Sequence, residues 1–282
     1  HDDTYHHTLI DEDQARWADR PLTPGQRERI SSYLASRREG GADWIRFHKD
    51  PDYAASQDIT RFGLDPAKPL VVAYTNVFWD AQLHYPRNAF ASQREWLMET
   101  IRWFAGRPDL QLLIRIHPAE ISGNPRSRQL AQDAIRAAFP QLPPNVAVIG
   151  PESPVSSYVL AEMADSVIIF ATKMGVELSA TGKVVIVAGE AWVRNKGITR
   201  DAASREHYFE LLGQLPVRGG LDEPTRDRAL AYAYHFFMRR MIELPFVQPD
   251  PGPRRFTVAL DSVEGLREGA DPGLDAICAG IL

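Results

Sequence analysis

Leu110-Gln111-Leu112-Leu113-Ile114-Arg115-Ile116-His117-Pro118-Ala119-Glu120 is the stretch on which the fold turns. Its apolar run, Leu112 to Ile116, has the length and continuity of a strand buried on both faces. Pro118 has no N–H to give to a ladder, so the strand ends there. His117 and Glu120 are left at the carboxyl end, the edge where open α/β sheets bind ligands. Taken alone, the motif is equally a strand terminus whose histidine is satisfied by a backbone carbonyl.

The surrounding rhythm repeats this unit. Leu70 to Tyr74, Val146 to Ile149, Ser166 to Phe170 and Val184 to Val187 read as further strands. Between them lie helical patterns. Gln93 to Phe104 places Trp96, Leu97, Ile101 and Phe104 on one face, and Arg128 to Phe139, Pro154 to Met163 (with Ser153 as N-cap) and Gly175 to Thr181 follow. Strands alternating with helices, joined by tight Gly or Pro turns, predict a Rossmann-like parallel sheet with helices on both faces. Upstream, Thr23-Pro-Gly-Gln26 reads as a capped helix entry, with the helix stopping at Gly40-Gly41. Beyond Gly219 no further strand is expected. Pro224 to Met241 and Leu274 to Ile281 read as helices, with Tyr232, Tyr234, Phe236 and Phe237 as packing residues. The expected organisation is a helical, polar N-terminal flank over 1–49, a Rossmann-like nucleotide-sugar-binding domain over 50–215, and a C-terminal helical extension over 216–282 packing on it.

Composition narrows the field. The 282 residues carry a net charge of −5 with 24% charged and 44% hydrophobic residues, ordinary for a globular protein. There is no basic stripe to suit nucleic acid, and no apolar run long enough for a membrane span. The single cysteine, Cys278, excludes an internal disulfide. His1, His6 and His7 read as a frayed terminus or tag remnant, not a metal site. The chain opens on His1, as a processed product or a fragment would.

Each strand ends in residues capable of chemistry. The first ends in Thr75-Asn76-Val77-Phe78-Trp79-Asp80, the second in His117 to Glu120, a third in Ala171-Thr172-Lys173-Met174-Gly175 before a helix containing Glu177, and the last in Ala188-Gly-Glu-Ala-Trp192. A helix start carries free N–H groups and partial positive charge, so Thr172, Lys173 and Gly175 form a candidate phosphate site, the alternative being a capped helix with an exposed lysine; Glu177 is placed to bond a ribose hydroxyl or equally to stand as a solvated carboxylate. The GxxxxGK[ST] spacing of a P-loop is absent, as is GxGxxG after the first strand. That argues against a nicotinamide-dependent dehydrogenase.

The ordered set Asn76-Val-x-Trp-Asp80, Phe90-x-Ser92 leading to Glu95-Trp-Leu97, Ile114-Arg-Ile-His-Pro-Ala-Glu120, Gly175-x-Glu177, Gly182-Lys-Val-Val185 and Gly189-x-Ala191 through Gly197-Ile-Thr199 resembles the capsule polysaccharide biosynthesis proteins, GT-B glycosyltransferases of bacterial surface polysaccharides. The likeness covers Pro69 to Thr199 and continues into Ala231 to Phe237 and Gly273 to Cys278. The resemblance implies that this chain is the C-terminal, donor-binding GT-B half. His117 inherits a contact to the donor nucleotide or its phosphate, and Asn76, Glu120, Thr172, Lys173, Gly175 and Glu177 line the same site. Related families often place Ser-Ser or Ser-Thr where this chain has Thr172-Lys173, a departure that bears on which donor is bound.

The function so implied is transfer of a sugar from a nucleotide-sugar, a CMP-linked acidic sugar being one candidate, to a glycan or glycolipid in surface polysaccharide synthesis. The donor is a substrate, with no further cofactor and no metal. Asp80 is the carboxylate placed to act as base, with His117 at the leaving group. The acceptor wall would belong to an N-terminal domain or a partner chain, and the setting would be cytoplasmic or peripheral at the inner face of the membrane. Two alternatives stay open: a GT-B-fold sugar-nucleotide epimerase, and a non-catalytic nucleotide- or glycan-binding module.

Overall fold

The strand read from the 110–120 stretch sits second from one edge of a six-stranded sheet with the order β3-β2-β1-β4-β5-β6. The computed structural model describes residues 10–39, 53, 58–80, 85–123, 126–250 and 256–281. His1, His6 and His7, the Gly40-Gly41 stop and the expected boundary at 49/50 lie outside them. The strands are β1 (Leu70–Tyr74), β2 (Gln111–Arg115), β3 (Val146–Ile149), β4 (Ser166–Ile169), β5 (Val185–Val187) and β6 (Arg200–Asp201). All five pairings are parallel. The described residues up to Ala233 form one compact unit, and those from Tyr234 onward form a second.

Alternation along the strands divides the first unit into two layers. On one face Val71, Ala73, Leu112, Ile114, Ile168 and Ile186 pack with α2 (Gln93–Ala105), α4 (Ala131–Ala138) and α7 (Arg205–Gly213). Trp96, Leu97, Ile101 and Phe104, the expected inward stripe of α2, are all fully buried. Each such side chain contributes about 1.5–3 kcal/mol of burial. The polar atoms in this layer are matched. The Trp96 indole N–H donates to the Tyr208 hydroxyl at 2.9 Å, and the Thr100 hydroxyl lies 2.8 Å from the same oxygen. Between α2 and α4, a single turn of helix, α3 (Ala119–Ser122), follows β2.

The other face carries α5 (Ser157–Met163) and α6 (Met174–Ala180). The Tyr74 hydroxyl donates to the Ser157 carbonyl at 2.6 Å. Outside these lies α1 (Pro24–Arg38), opened by the expected Thr23 cap with a reciprocal bond from Gln26. It is tied down by Arg37 to Glu177 (2.8 Å), Arg38 to Glu162 (2.5 Å) and Arg27 to Asp227 (2.8 Å). The last of these partners lies on α8 (Glu223–Tyr234).

Several elements differ from the sequence reading. The helix expected from Pro154 begins only at Ser157 and is capped by Ser156, not Ser153. Pro154 lies upstream of the cap, in the approach to the helix. Helix α4 begins at Ala131 instead of Arg128. Helix α7, with Tyr208, Leu211 and Leu212 buried at helical spacing, and the two-residue β6 were not expected. In the second unit, strands reappear as an antiparallel hairpin of β7 (Val247–Pro249) and β8 (Phe256–Val258), followed by α9 (Pro272–Ile281). Three-residue strands flanked by prolines read as loop in a sequence. No helix among the described residues is long and apolar enough to cross a membrane.

Close strand contact beyond the end of β5 depends on Gly189. Its N–H donates to the Phe170 carbonyl at 2.9 Å, and a Cβ there would stand 2.7 Å from that carbonyl oxygen. Gly189→Ala should therefore lower stability by about 1–3 kcal/mol. Gly213→Ala, on a helix with nothing within 4 Å of the added methyl, should leave it unchanged or raise it by up to about 1 kcal/mol. Urea denaturation of both variants checks the contrast.

Candidate functional site

The strand order reverses between β1 and β4. The chain leaves β1 toward β2 and leaves β4 toward β5, so the connections diverge and open a crevice at their carboxyl ends. Asn76 lies at that point and is 8% exposed. Its Oδ1 accepts from the Ala171 N–H beyond β4 at 3.3 Å, and its carbonyl accepts from Gln93 Nε2, at the start of α2, at 2.9 Å. Thr75 makes the matching tie on the other side. Its Oγ1 accepts from the His117 N–H at 3.0 Å, while its own N–H donates to the Arg115 carbonyl at 3.2 Å. His117, Asn76 and the Thr172-Lys173 turn are thus held at three adjacent strand ends. Two strand spacings, about 10 Å, separate the outer pair.

His117 is half-buried. Its Nδ1 accepts from the Ala119 N–H at 3.0 Å. In the neutral ring the proton then resides on Nε2, which makes that atom a donor. Asp80 closes a turn after β1, its N–H donating to the Val77 carbonyl at 3.2 Å, and is partly exposed.

Three other residues expected at this edge are turned elsewhere. Glu120 is 1% exposed, and both its carboxylate oxygens lie 3.1 Å from the Ala131 N–H, so it caps α4. Burial raises its pKa to about 7, against the opposing effect of that N–H. Glu177, expected near a ribose, is 2% exposed. It is paired with Arg37 at 2.8 Å and accepts from the Tyr158 hydroxyl. Gly175 is a packing glycine: a Cβ there would meet Ile169 Cδ1 at 2.6 Å and Val193 Cγ1 at 2.9 Å.

The start of α6 also differs from an open anion site. Gly175 N–H donates to the Thr172 carbonyl at 3.1 Å and Val176 N–H to the Lys173 carbonyl at 3.0 Å, while Met174 N–H points to Thr172 Oγ1 at 3.4 Å. The turn consumes its own amides. What it presents at the edge is the half-buried Lys173 side chain beside the buried Thr172.

Other residues of this edge carried little signal in the sequence. Arg115 lies 1% exposed inside β2 and donates to the carbonyls of Gly150 and, at 3.0 Å, Ser153. Burial pushes its guanidinium down to about 10, still charged at neutral pH. An arginine within an apolar run was the available clue. Residues 85–89 are clipped over the end of β5: Ala89 N–H to the Ala188 carbonyl (2.8 Å), Arg87 N–H to Glu190 (3.2 Å) and Glu190 N–H to Asn88 Oδ1 (2.8 Å). This brings Tyr85 near Asp80 and Glu190, and its phenol is raised by burial first and then by those two carboxylates.

A cleft of about 730 Å³ lies away from this edge, between α1, α5, α6 and α8. It opens near the amino end of β5, where Lys183 donates to the carbonyls of Glu162 (2.9 Å) and Ala164 (2.6 Å). Among the described residues no group of three His, Cys, Asp or Glu side chains is placed to hold a metal ion.

A family profile described as capsule polysaccharide biosynthesis protein matches residues 41–212. Among solved structures, the Thermosulfurimonas dismutans KpsC beta Kdo 2,4 transferase is 19% identical over 74% of this chain and 56% of its own, with a TM-score of 0.44. The 2,7 transferase of the same organism is 16% identical over 84% and 59%, with a TM-score of 0.42. The UDP-GlcNAc 2-epimerase from Neisseria meningitidis, bound to UDP-GlcNAc, is 14% identical over 63% and 46%, with a TM-score of 0.40. The chain thus spans 56% and 59% of the length of the two transferases. No curated protein matches it.

Glu120 gives this edge a pH signature. The carboxyl holds its proton up to about pH 7 in the fold, against an ordinary value of 4.5. Between those values the unfolded chain binds fewer protons, so stability falls as pH rises through the window and is flat below it. The loss should be on the order of 3 kcal/mol. Glu120→Gln cannot ionise and should lack this slope. Urea melts of both proteins at pH 4.5 and pH 8 check it, and equal slopes would mean that Glu120 is already ionised in the fold.

Proposed function

We propose a nucleotide-sugar-binding role in glycosyl transfer for this chain, which belongs to the capsule polysaccharide biosynthesis protein family. The observation that carries the reading is the Asn76 bridge at the β1/β4 reversal, with His117 and Lys173 on the strand ends to either side. Such a crevice suits a nucleotide lying across the strand ends. His117 Nε2–H and the Lys173 ammonium meet donor phosphate, Thr172 adds a hydroxyl, and Asn76 fixes the spacing between them.

In transfer, Asp80 takes the proton of an acceptor hydroxyl as that oxygen attacks the anomeric carbon, and the nucleotide departs with the bonding pair. Charge on the leaving phosphate is met by His117 and Lys173, the dominant contribution in such sites. A CMP-linked acidic sugar is the donor class we favour, on the resemblance alone. The acceptor, a glycan or glycolipid, is brought by a second wall, from the same polypeptide or a partner, at the inner face of a membrane. Glu120, Gly175 and Glu177 take no part in contact with the donor.

Calorimetric titration with CMP and UDP at low salt, where charge is least screened, tests the seat. His117→Ala should weaken the better nucleotide at least tenfold, about 1.4 kcal/mol, and Lys173→Glu should abolish binding with the melting temperature kept. Failure of both nucleotides to bind the unaltered protein, or indifference to both substitutions, would overturn the assignment.

A further inference from the structure

We propose that Trp79 is the platform of a saccharide subsite, its exposed ring face taking the pyranose ring whose hydroxyl is delivered to Asp80. The proposal rests on the reading above, that the carboxyl edge of this sheet carries out glycosyl transfer, and adds to it a place for the acceptor sugar.

The turn that closes β1 sorts its side chains by depth. Phe78 is 7% exposed and belongs to the core beneath the sheet, while Trp79, the next residue, is 52% exposed. The hydrogen bond from Asp80 N–H to the Val77 carbonyl fixes the turn, so the inward anchor at Phe78 forces Trp79 outward. The indole is also held in direction. Its N–H donates to Ser127 Oγ at 2.9 Å, and Ser127 is itself tied through its N–H to the Glu120 carbonyl at 3.1 Å. With the one polar atom of the ring committed, what the side chain offers a ligand is its π-face.

Exposure is unusual for tryptophan in this unit: Trp17 and Trp96 are fully buried. Of the exposed large apolar residues described before Ala233, Trp79, Ile121 and Leu142, the first two follow the carboxyl ends of β1 and β2. A pyranose presents a face of C–H bonds with partial positive charge, which suits the negative face of an indole. Its hydroxyls project from the rim, where Ser127 meets the indole N–H and Asp80 follows in the chain. The tether to Ser127 draws Trp79 toward the β2–β3 connection, the His117 end of the seat and the end away from Lys173. A sugar is the ring whose hydroxyl the next residue, Asp80, has to reach.

Saturation-transfer NMR with methyl β-galactopyranoside, methyl N-acetylglucosaminide and methyl rhamnoside reads the contact directly. The unaltered protein should transfer saturation to the ring C–H protons of at least one of them. Trp79→Ala should reduce that signal at least fivefold, Trp79→Phe should keep about half, and Ser127→Ala, which frees the ring's direction, should cost about twofold. Should Trp79→Ala fail to fold, Trp79→Phe and Ser127→Ala carry the comparison. Absence of sugar signal in the unaltered protein, or a signal indifferent to Trp79, overturns the proposal. So does a loss of CMP or UDP affinity in Trp79→Ala as large as that in His117→Ala, which would place a nucleobase on the ring. A sugar signal that depends on Trp79 in a protein binding neither nucleotide would support the platform while removing the donor seat.

Discussion

The hydrogen bond from the Ala171 N–H to the Asn76 side chain holds the candidate site together. The β1–β4 ladder holds the two strands as far as Tyr74 and Ile169, and past that point their chains turn in opposite directions. The crevice that makes the place useful for binding also makes it loose. A side-chain amide can bridge that gap because it accepts on one atom without needing the register of a strand. With the carbonyl of the same residue held by the buried Gln93, Asn76 is fixed at both ends. The segments just past the β1 and β4 ends, the second leading into the Thr172-Lys173 turn, are joined through it.

A second constraint works from beneath. Arg37 and Glu177 form an ion pair with side chains 6% and 2% exposed, linking α1 to α6. Two buried charges repay their desolvation only when geometry and further hydrogen bonds are good. Tyr158 supplies one of those bonds from α5. Three helices are thereby locked by a contact that tolerates little displacement, and the helix so locked is the one that follows the Thr172-Lys173 turn. Rigidity at the edge is set on the far side of the sheet.

The fold was legible because it is written in periodicity. Five of the six strands of the main sheet, the inward stripe of α2 and the Thr23 cap follow from spacing and from residues with one conformational role, such as Pro118. The helix missed entirely in the same unit, α7, shows its stripe only as Tyr208, Leu211 and Leu212 among charged residues, and β6 is two residues long with no apolar run to mark it. The site was legible in place but not in direction. That His117 and Asn76 lie at strand ends is a matter of chain position. Whether a carboxylate near a strand end faces a ligand or the protein depends on which N–H or guanidinium comes near it, and those partners are distant in sequence. Glu177 lies 140 residues from Arg37. Gly175 misled for a related reason: glycine marks close approach without saying what approaches.

The satisfied amides at the start of α6 change how a phosphate can be held here. A helix start with open N–H groups binds an anion through fixed dipoles that need no side chain. In this seven-residue helix the turn spends those groups internally, so the work passes to a lysine and a histidine. A lysine is a mobile point charge with strong hydration. The affinity it confers falls with salt more steeply than that of a backbone cradle, and it discriminates poorly among phosphates. A transferase so built has to draw its selectivity from what is attached to the phosphate, and from the rings and hydroxyls that meet it on the lip of the crevice.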